Sequence, residues 1–418
     1  MSLRNKRIAI LNDSTKYGRL TIMQQPIVHT YSLGELYTER KEKGDPSLPI
    51  LTVSIHAGVS EGELDEDKLG KKVKRIADKT QYKTARKGDL VFNMMRAWQG
   101  AIGIVRSDGL VSPAYIVAKP NEKIWPEYMD YCMKTPRMIH AIHRQSYGVT
   151  DFRLRLYWDS FTPITCQLPP LPEQQKIVAI LSTQDKVIEL KEKLLAQKQQ
   201  QKKYLMQQLL TEKKRLPGFG GEWKTIHLNE ISYRIETKNT VGNNNVLTIS
   251  AQYGLINQTE FFDKVIASDD KSNYYLLSKD EFAYNRSYSK GYPYGTIKRL
   301  KRYVQGVVSP LYICFAVNKK LASLDFLEQY FEASIINREI QSIVQEGARN
   351  HGMLNVAVDD FFRIKITMPE IEEQKEIAKI LSTADHEIDL LQKSIEAEKQ
   401  KKKALMQLLL TGKVRVKI

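Results

Sequence analysis

Residues 171–195 read LPEQQKIVAILSTQDKVIELKEKLL, and residues 371–395 read IEEQKEIAKILSTADHEIDLLQKSI. Both stretches close alike, as QKKYLMQQLLT ending at Thr211 and KKKALMQLLLT ending at Thr411. The shift is 200 positions without a gap, and a direct count from Pro169 and Pro369 onward finds 21 of 43 paired positions identical. A repeat of this length is a structural unit used twice. In each copy a proline ends an extended stretch and a short helix follows, EQQKIVAIL or EQKEIAKIL. Ser182-Thr183 and Ser382-Thr383 then interrupt, and Asp185 and Asp385 three residues after the serines fit the start of a second helix. Beyond them no Pro or Gly appears until after Thr211 or Thr411. Ile188, Leu195, Lys202 and Leu209 follow Leu181 at seven-residue steps, and Ile388, Ile395, Lys402 and Leu409 follow Leu381. Leu190, Leu194, Leu205 and Leu210 broaden the first stripe. A narrow apolar seam on a charged helix is what a coiled coil requires, and Lys202 and Lys402 on that seam trade packing for register. One such helix cannot bury its seam alone, whereas two in one chain can pair.

Outward from the helices the repetition continues in weaker form. Leu33, Glu35 and Leu36 correspond to Leu228, Glu230 and Ile231, LTVSIHAG at 51 to LTISAQYG at 247, GLVSPAYIV at 109 to GVVSPLYIC at 306, and Asp159-Ser160-Phe161 to Asp359-Asp360-Phe361. Between these anchors the halves differ freely. The expected organisation is a globular domain over 1–168 with 1–27 as a flank lacking a counterpart, a helical region over 169–214, a Gly- and Pro-rich linker over 215–222, a second globular domain over 223–367 with a helix near 325–344, a second helical region over 368–412, and a tail over 413–418.

A chain of 418 residues is expected to hold two to four domains. Lys and Arg number 64 against 48 Asp and Glu, a formal charge of +16, which favours a polyanionic partner such as nucleic acid over a merely solvated basic surface. Cys132, Cys166 and Cys314 are few and far apart, against a disulfide framework or zinc site and in keeping with a reducing cytoplasm. No apolar run reaches the roughly 20 residues of a membrane span, and MSLRNKRIAILNDSTK lacks an apolar signal segment.

The duplicated Pro-x-x-x-Glu-Gln unit before a long helix, in LPPLPEQQKIVAIL and MPEIEEQKEIAKIL, together with PGFGGEW opening the second half, resembles the specificity subunit of type I restriction-modification systems. The resemblance covers essentially everything after about residue 28. It implies an α+β fold: two similar mixed α/β target recognition domains, each reading half of a split DNA site, joined by two long helices that form an antiparallel coiled coil with pseudo-two-fold symmetry. It also implies that the helices dock two methyltransferase subunits using S-adenosylmethionine, with ATP- and Mg-dependent restriction subunits in the full complex. Physics gives the arrangement a purpose, because two domains related by a two-fold axis match the two strands of a duplex. Ser182–Leu210 as one helix spans about 44 Å at about 1.5 Å per residue, so helix length would act as a ruler between half-sites.

No catalytic constellation stands out. The Asn-Pro-Pro-aromatic signature of amino methyltransferases and the GxxxxGK phosphate loop are absent, and His140 and His143, without a Cys or carboxylate nearby, read as surface residues rather than metal ligands. Base reading needs paired donors and acceptors, whereas phosphate contact needs only charge. The first domain offers Arg86, Lys87, Asn93, Arg96 and Gln99, then Arg144, Tyr147, Arg153 and Arg155. The second offers Asn285, Arg286, Tyr288, Lys290 and Tyr292, then Arg349, Asn350 and His351. Lys298, Arg299, Lys301 and Arg302 form a run suited to phosphate. The alternative for each is an ordinary solvated loop. Glu173, Gln174, Glu373 and Gln374 open the repeated helices, where they either dock the methyltransferases or merely cap. A DNA specificity subunit is the expectation; a related defence or split type II recognition subunit, a self-contained DNA-modifying enzyme and a protein-binding coiled-coil scaffold are the alternatives.

Overall fold

The computed structural model describes residues 20–21, 29–55, 58–61, 78–150, 153–251, 253–261, 270–288, 291–344 and 353–417. The chain forms two compact units, residues 1–191 with 394–418, and residues 192–393. Each holds one globular domain, the first half of the helix that follows it, and the second half of the other long helix.

In the first unit the order is β1 (Leu20–Thr21), β2 (His29–Ser32), α1 (Leu33–Leu36), β3 (Tyr37–Glu39), β4 (Leu51–Ser54), β5 (Gly58–Glu61), β6 (Lys83–Ala85), β7 (Leu90–Asn93), β8 (Ile102–Ile104), β9 (Gly109–Val111), β10 (Tyr115–Pro120), α2 (Pro126–Met133), α3 (Pro136–Gln145), α4 (Trp158–Phe161), β11 (Thr165–Leu168) and the start of α5 (Leu171–Leu209). The second unit follows with β12 (Lys224–His227), α6 (Leu228–Ile231), β13 (Ser232–Arg234), β14 (Leu247–Ser250), β15 (Gly254–Asn257), α7 (Gln258–Phe261), β16 (Tyr275–Ser278), β17 (Phe282–Asn285), β18 (Thr296–Arg299), β19 (Gln305–Val308), β20 (Ile313–Val317), α8 (Leu324–Glu332), α9 (Asn337–Ile343), α10 (Val358–Phe362), β21 (Lys365–Met368) and the start of α11 (Ile371–Leu409). Strand β22 (Arg415–Val416) returns to the first unit, where it pairs with β1 and gives part of the N-terminal flank a place.

The two sheet topologies match strand for strand. An antiparallel sheet of order β3-β10-β7-β8 is repeated as β13-β20-β17-β18, and the pairs β2–β11, β4–β5 and β6–β9 are repeated as β12–β21, β14–β15 and β16–β19. The apolar runs LVFN of β7 and ICFAV of β20 lie wholly inside, as short uninterrupted apolar segments should when a strand is covered on both faces. Leu33 and Leu36 seal the first core and Leu228 and Ile231 the second.

The expected break at Ser182-Thr183 and Ser382-Thr383 does not occur. Both α5 and α11 are continuous over 39 residues, about 58 Å at about 1.5 Å per residue. Thr183 Oγ1 donates to the Ala179 carbonyl at 2.7 Å and Thr383 Oγ1 to that of Lys379 at 2.8 Å; hydroxyls bonded back to the preceding turn leave the helix intact. The single helix expected near 325–344 is instead split into α8 and α9, with Ser334 at φ +60° between them.

Within each unit the helix halves run antiparallel. In the first, Gln184 Nε2 donates to Glu398 Oε2 at 2.7 Å, Lys191 Nζ to Glu398 Oε1 at 2.8 Å, and Lys402 pairs with Asp185. In the second, Lys198 pairs with Glu387 at 2.8 Å and Lys202 with Asp385 at 2.5 Å. Asp185 and Asp385 are therefore partners of the seam lysines rather than caps. Tyr131 on α2 donates to Asp185 at 2.6 Å, and Gln329 on α8 to Asp385 at 2.7 Å, tying each globular domain to its helices by equivalent bonds. The repeat's LLT endings are explained by burial. Leu409 and Leu410 enter the first unit's core beside Ile177 and Leu181, and Leu209 and Leu210 enter the second beside Ile377 and Leu381; burying each such side chain stabilises by about 1.5–3 kcal/mol. Leu190 and Leu194 do not broaden the buried stripe: they face solvent.

Candidate nucleic-acid interface

Strand β7 ends at Asn93, whose Oδ1 accepts from Met95 N at 3.0 Å and turns the chain outward into Arg96–Gln99. The Leu156 amide donates to the Met94 carbonyl at 2.9 Å, and Tyr147 and Arg155 exchange backbone hydrogen bonds at 3.1 and 2.9 Å. Two segments more than fifty residues apart thus meet at one edge. Gly148 permits the closure, since a Cβ there would lie 2.2 Å from the Arg153 carbonyl. Arg96, Arg144, Arg153 and Arg155 are exposed on these segments, with Tyr147 presented beside Tyr157 at 5.0 Å between ring centroids.

The second unit builds an equivalent junction. Asn285 Oδ1 accepts from Ser287 N at 3.0 Å, and the Leu354 amide donates to the Arg286 carbonyl at 2.9 Å. Gly295, at φ +80°, lies so close to the Asn285 carbonyl that a Cβ would stand 2.4 Å away. Tyr288 is exposed there. Of the residues expected in this surface, Lys290, Arg349, Asn350 and His351 lie outside the described residues.

Other candidates are engaged elsewhere. Asn93 and Asn285 spend their acceptor on the turns just described, and Asn93 is buried. Arg86 is held by Glu42 and by Asp108 at 2.9 Å; with Lys87, it sits at the end of β7 opposite Asn93. Arg286 donates to the carbonyls of Leu311 at 2.9 Å and Val356 at 3.0 Å. The basic run is neutralised: Lys298 pairs with Glu332, Arg299 with Asp280 and Asp325, Lys301 with Glu328, and Arg302 with Glu260. Lys298 and Arg299, with side chains 12% and 11% exposed, are held inside the fold by these pairs, whereas Lys301 and Arg302 stay more than half exposed in surface pairs worth about 0–1 kcal/mol. Tyr292 donates to Glu332 at 2.8 Å.

Glu173 and Glu373, expected either to dock a partner or to cap, have their carboxylates taken up inside the fold. They are 1% and 2% exposed. Glu173 is gripped by Arg415, whose Nε lies 2.6 Å from Oε1, and Glu373 by Arg215 at 2.7 and 2.9 Å. Gln174 accepts from Trp125 N at 2.9 Å and Gln374 from Ser323 N at 2.8 Å, while their amide groups donate to the Pro169 and Pro369 carbonyls. Gln174 and Gln374 fasten a helix start to its own globular domain, whereas Glu173 and Glu373 tie it to the segment that follows the other long helix. Arg215 and Arg415 escaped the sequence reading, although they stand 200 positions apart like the rest of the repeat.

The three cysteines are free and buried. Among the described residues no cluster of His, Cys, Asp or Glu could hold a metal, and no helix is long and apolar enough to cross a membrane.

A chain with two copies of one loop-bearing domain, each followed by a long paired helix, matches the type I restriction modification DNA specificity domain twice, over residues 34–200 and 222–399. The chain belongs to that family and is a specificity subunit of the type I restriction-modification class. It is 24% identical over 347 residues to the type I restriction enzyme MjaVIII specificity subunit of Methanocaldococcus jannaschii, covering 74% of this chain and 75% of that one. Its fold is similar to that of the HsdS subunit from Thermoanaerobacter tengcongensis, at 18% identity and TM-score 0.51 over 96% of this chain and 99% of that one. The S subunit of a type I system from M. genitalium is also similar in fold, at 12% identity and TM-score 0.54 over 94% and 99% of the two chains.

Proposed function

We propose that each globular domain reads one half of a two-part site in double-stranded DNA through its paired loops, and that catalysis belongs to partner subunits. The observation that carries this reading is the duplication of the loop junction, Leu156 N to Met94 O in one domain and Leu354 N to Arg286 O in the other. In the first domain Arg96, Arg144, Tyr147, Arg153 and Arg155 face the duplex; in the second, Tyr288 and the segments around Lys290 and Arg349–His351 do so. Two methyltransferase subunits using S-adenosylmethionine dock along the long helices, and restriction subunits using ATP and Mg complete the assembly in the cytoplasm. Leu190 and Leu390, equivalent in the repeat and 53% and 52% exposed, support a docking surface present twice.

Mapping methylated adenines in the host genome identifies the site, and binding of the purified chain to duplexes bearing it tests the reading. Affinity is expected to fall steeply with salt and to require both half-sites. Arg96→Ala is expected to cost about 1–3 kcal/mol at one base pair of one half-site. Methylation or cleavage by the purified chain alone would replace this reading with that of a self-contained enzyme.

A further inference from the structure

Between α3, β11 and the second half of α11, the first unit holds a trough of about 880 Å³. Its floor is apolar, formed by Met138, Ala141, Ile164, Cys166, Met406 and Leu410. Its rim is cationic, and no Asp or Glu lines it. Lys134 and Lys402 have carboxylate partners in Asp130 and Asp185. Arg137, Arg144, Lys403 and Lys413 have none among the described residues. The wall on α11 runs from Lys399 to Gln407, eight steps or about 12 Å at about 1.5 Å per residue, and Leu410 and Thr411 continue it past the helix end.

We propose that this trough docks an amphipathic α-helix of a partner protein, apolar on the face that enters it and rich in Asp and Glu along its flanks. Charge selects an acidic occupant, and the apolar floor selects one with side chains to bury. A DNA backbone supplies phosphates but nothing apolar for the floor. The length suits about two turns of helix lying between two others, the span of apolar anchors at i, i+3, i+4 and i+7 that enter a groove. The position has a consequence for the DNA-reading role. Helix α3 leads at Gln145 directly into the Tyr147–Arg155 loop, so an occupant would press on an element that sets one reading surface.

The test uses the full chain and a fluorescein-labelled peptide of about 16 residues, with Leu at i, i+3, i+4 and i+7 and Glu at the other positions, followed by anisotropy. A scrambled peptide of the same composition is the control. Saturable one-to-one binding is expected, weakened at least about tenfold by scrambling, by the double change Arg137→Glu with Lys403→Glu, and by Ala141→Trp, which fills the floor. Both variants should keep the parent's melting temperature, which separates lost docking from lost folding. Equal binding of the scrambled peptide, or undiminished binding by the charge-reversed variant, overturns the proposal. Displacement of the peptide by a short DNA duplex at equal concentration also overturns it and assigns the trough to nucleic acid.

Discussion

Glu173 and Glu373 are carboxylates taken out of water, and what makes that tolerable is the two-pronged grip of Arg415 and Arg215. Removing one member of a buried pair strands the other's charge, a loss of about 3–5 kcal/mol. Arg415→Ala is therefore expected to lower unfolding free energy by that order, measured by urea denaturation, and Glu173→Gln in the same chain should restore part of it. Recovery is the informative arm, because a stranded charge predicts it and a simple loss of packing does not. A second residue-scale contrast concerns the basic groups. Arg96 is exposed and offers its donors to solvent, whereas Arg299 is wrapped by Asp280 and Asp325. Arg299→Ala should lower the melting temperature while changing DNA affinity less than about twofold, and Arg96→Ala should do the reverse. Arginine's chemistry is readable from a sequence; whether a carboxylate from another strand has already claimed it is not.

At the scale of elements, the long helices carry leucines of two kinds, on and off the seven-residue series. Leu209 and Leu409 are buried against cores of globular domains, while Leu190 and Leu390 stand in solvent. Leu190→Asp with Leu390→Asp should leave the fold and the melting temperature unchanged and abolish co-purification with the methyltransferase subunits; an intact complex would move the docking surface elsewhere. Helix pairing also has a pH signature. The Lys191 ammonium and Gln184 amide hold the Glu398 carboxyl below its ordinary value of 4.5. Its folded pKa being the lower one, its contribution is complete above about pH 4.5 and is lost as pH falls through the folded value. Lys191→Met should reduce the acid sensitivity of unfolding between pH 5 and pH 3. The seven-residue spacing made the two helices legible, but the Ser-Thr pair was misread as a break. Hydroxyls can bond back to their own helix, and sequence alone does not show which bond they choose.

For the whole molecule, the proposed division of labour makes helix length a specification. Each long helix spans about 58 Å at about 1.5 Å per residue, and inserting one helical turn in both adds about 5.4 Å, close to one or two base-pair rises of about 3.4 Å. The unread spacer in the methylated sequence should lengthen by one or two base pairs while both half-site sequences stay the same; an unchanged spacer would end the ruler idea. The sequence by itself determined the duplicated plan and the paired helices, because each is written in local periodicity and in identity at a fixed 200-residue shift. The tertiary structure alone decided which charges are available. Ion pairs such as Glu173–Arg415 join residues 242 positions apart, and burial and partner choice arise only when distant segments are brought together, so no local pattern records them.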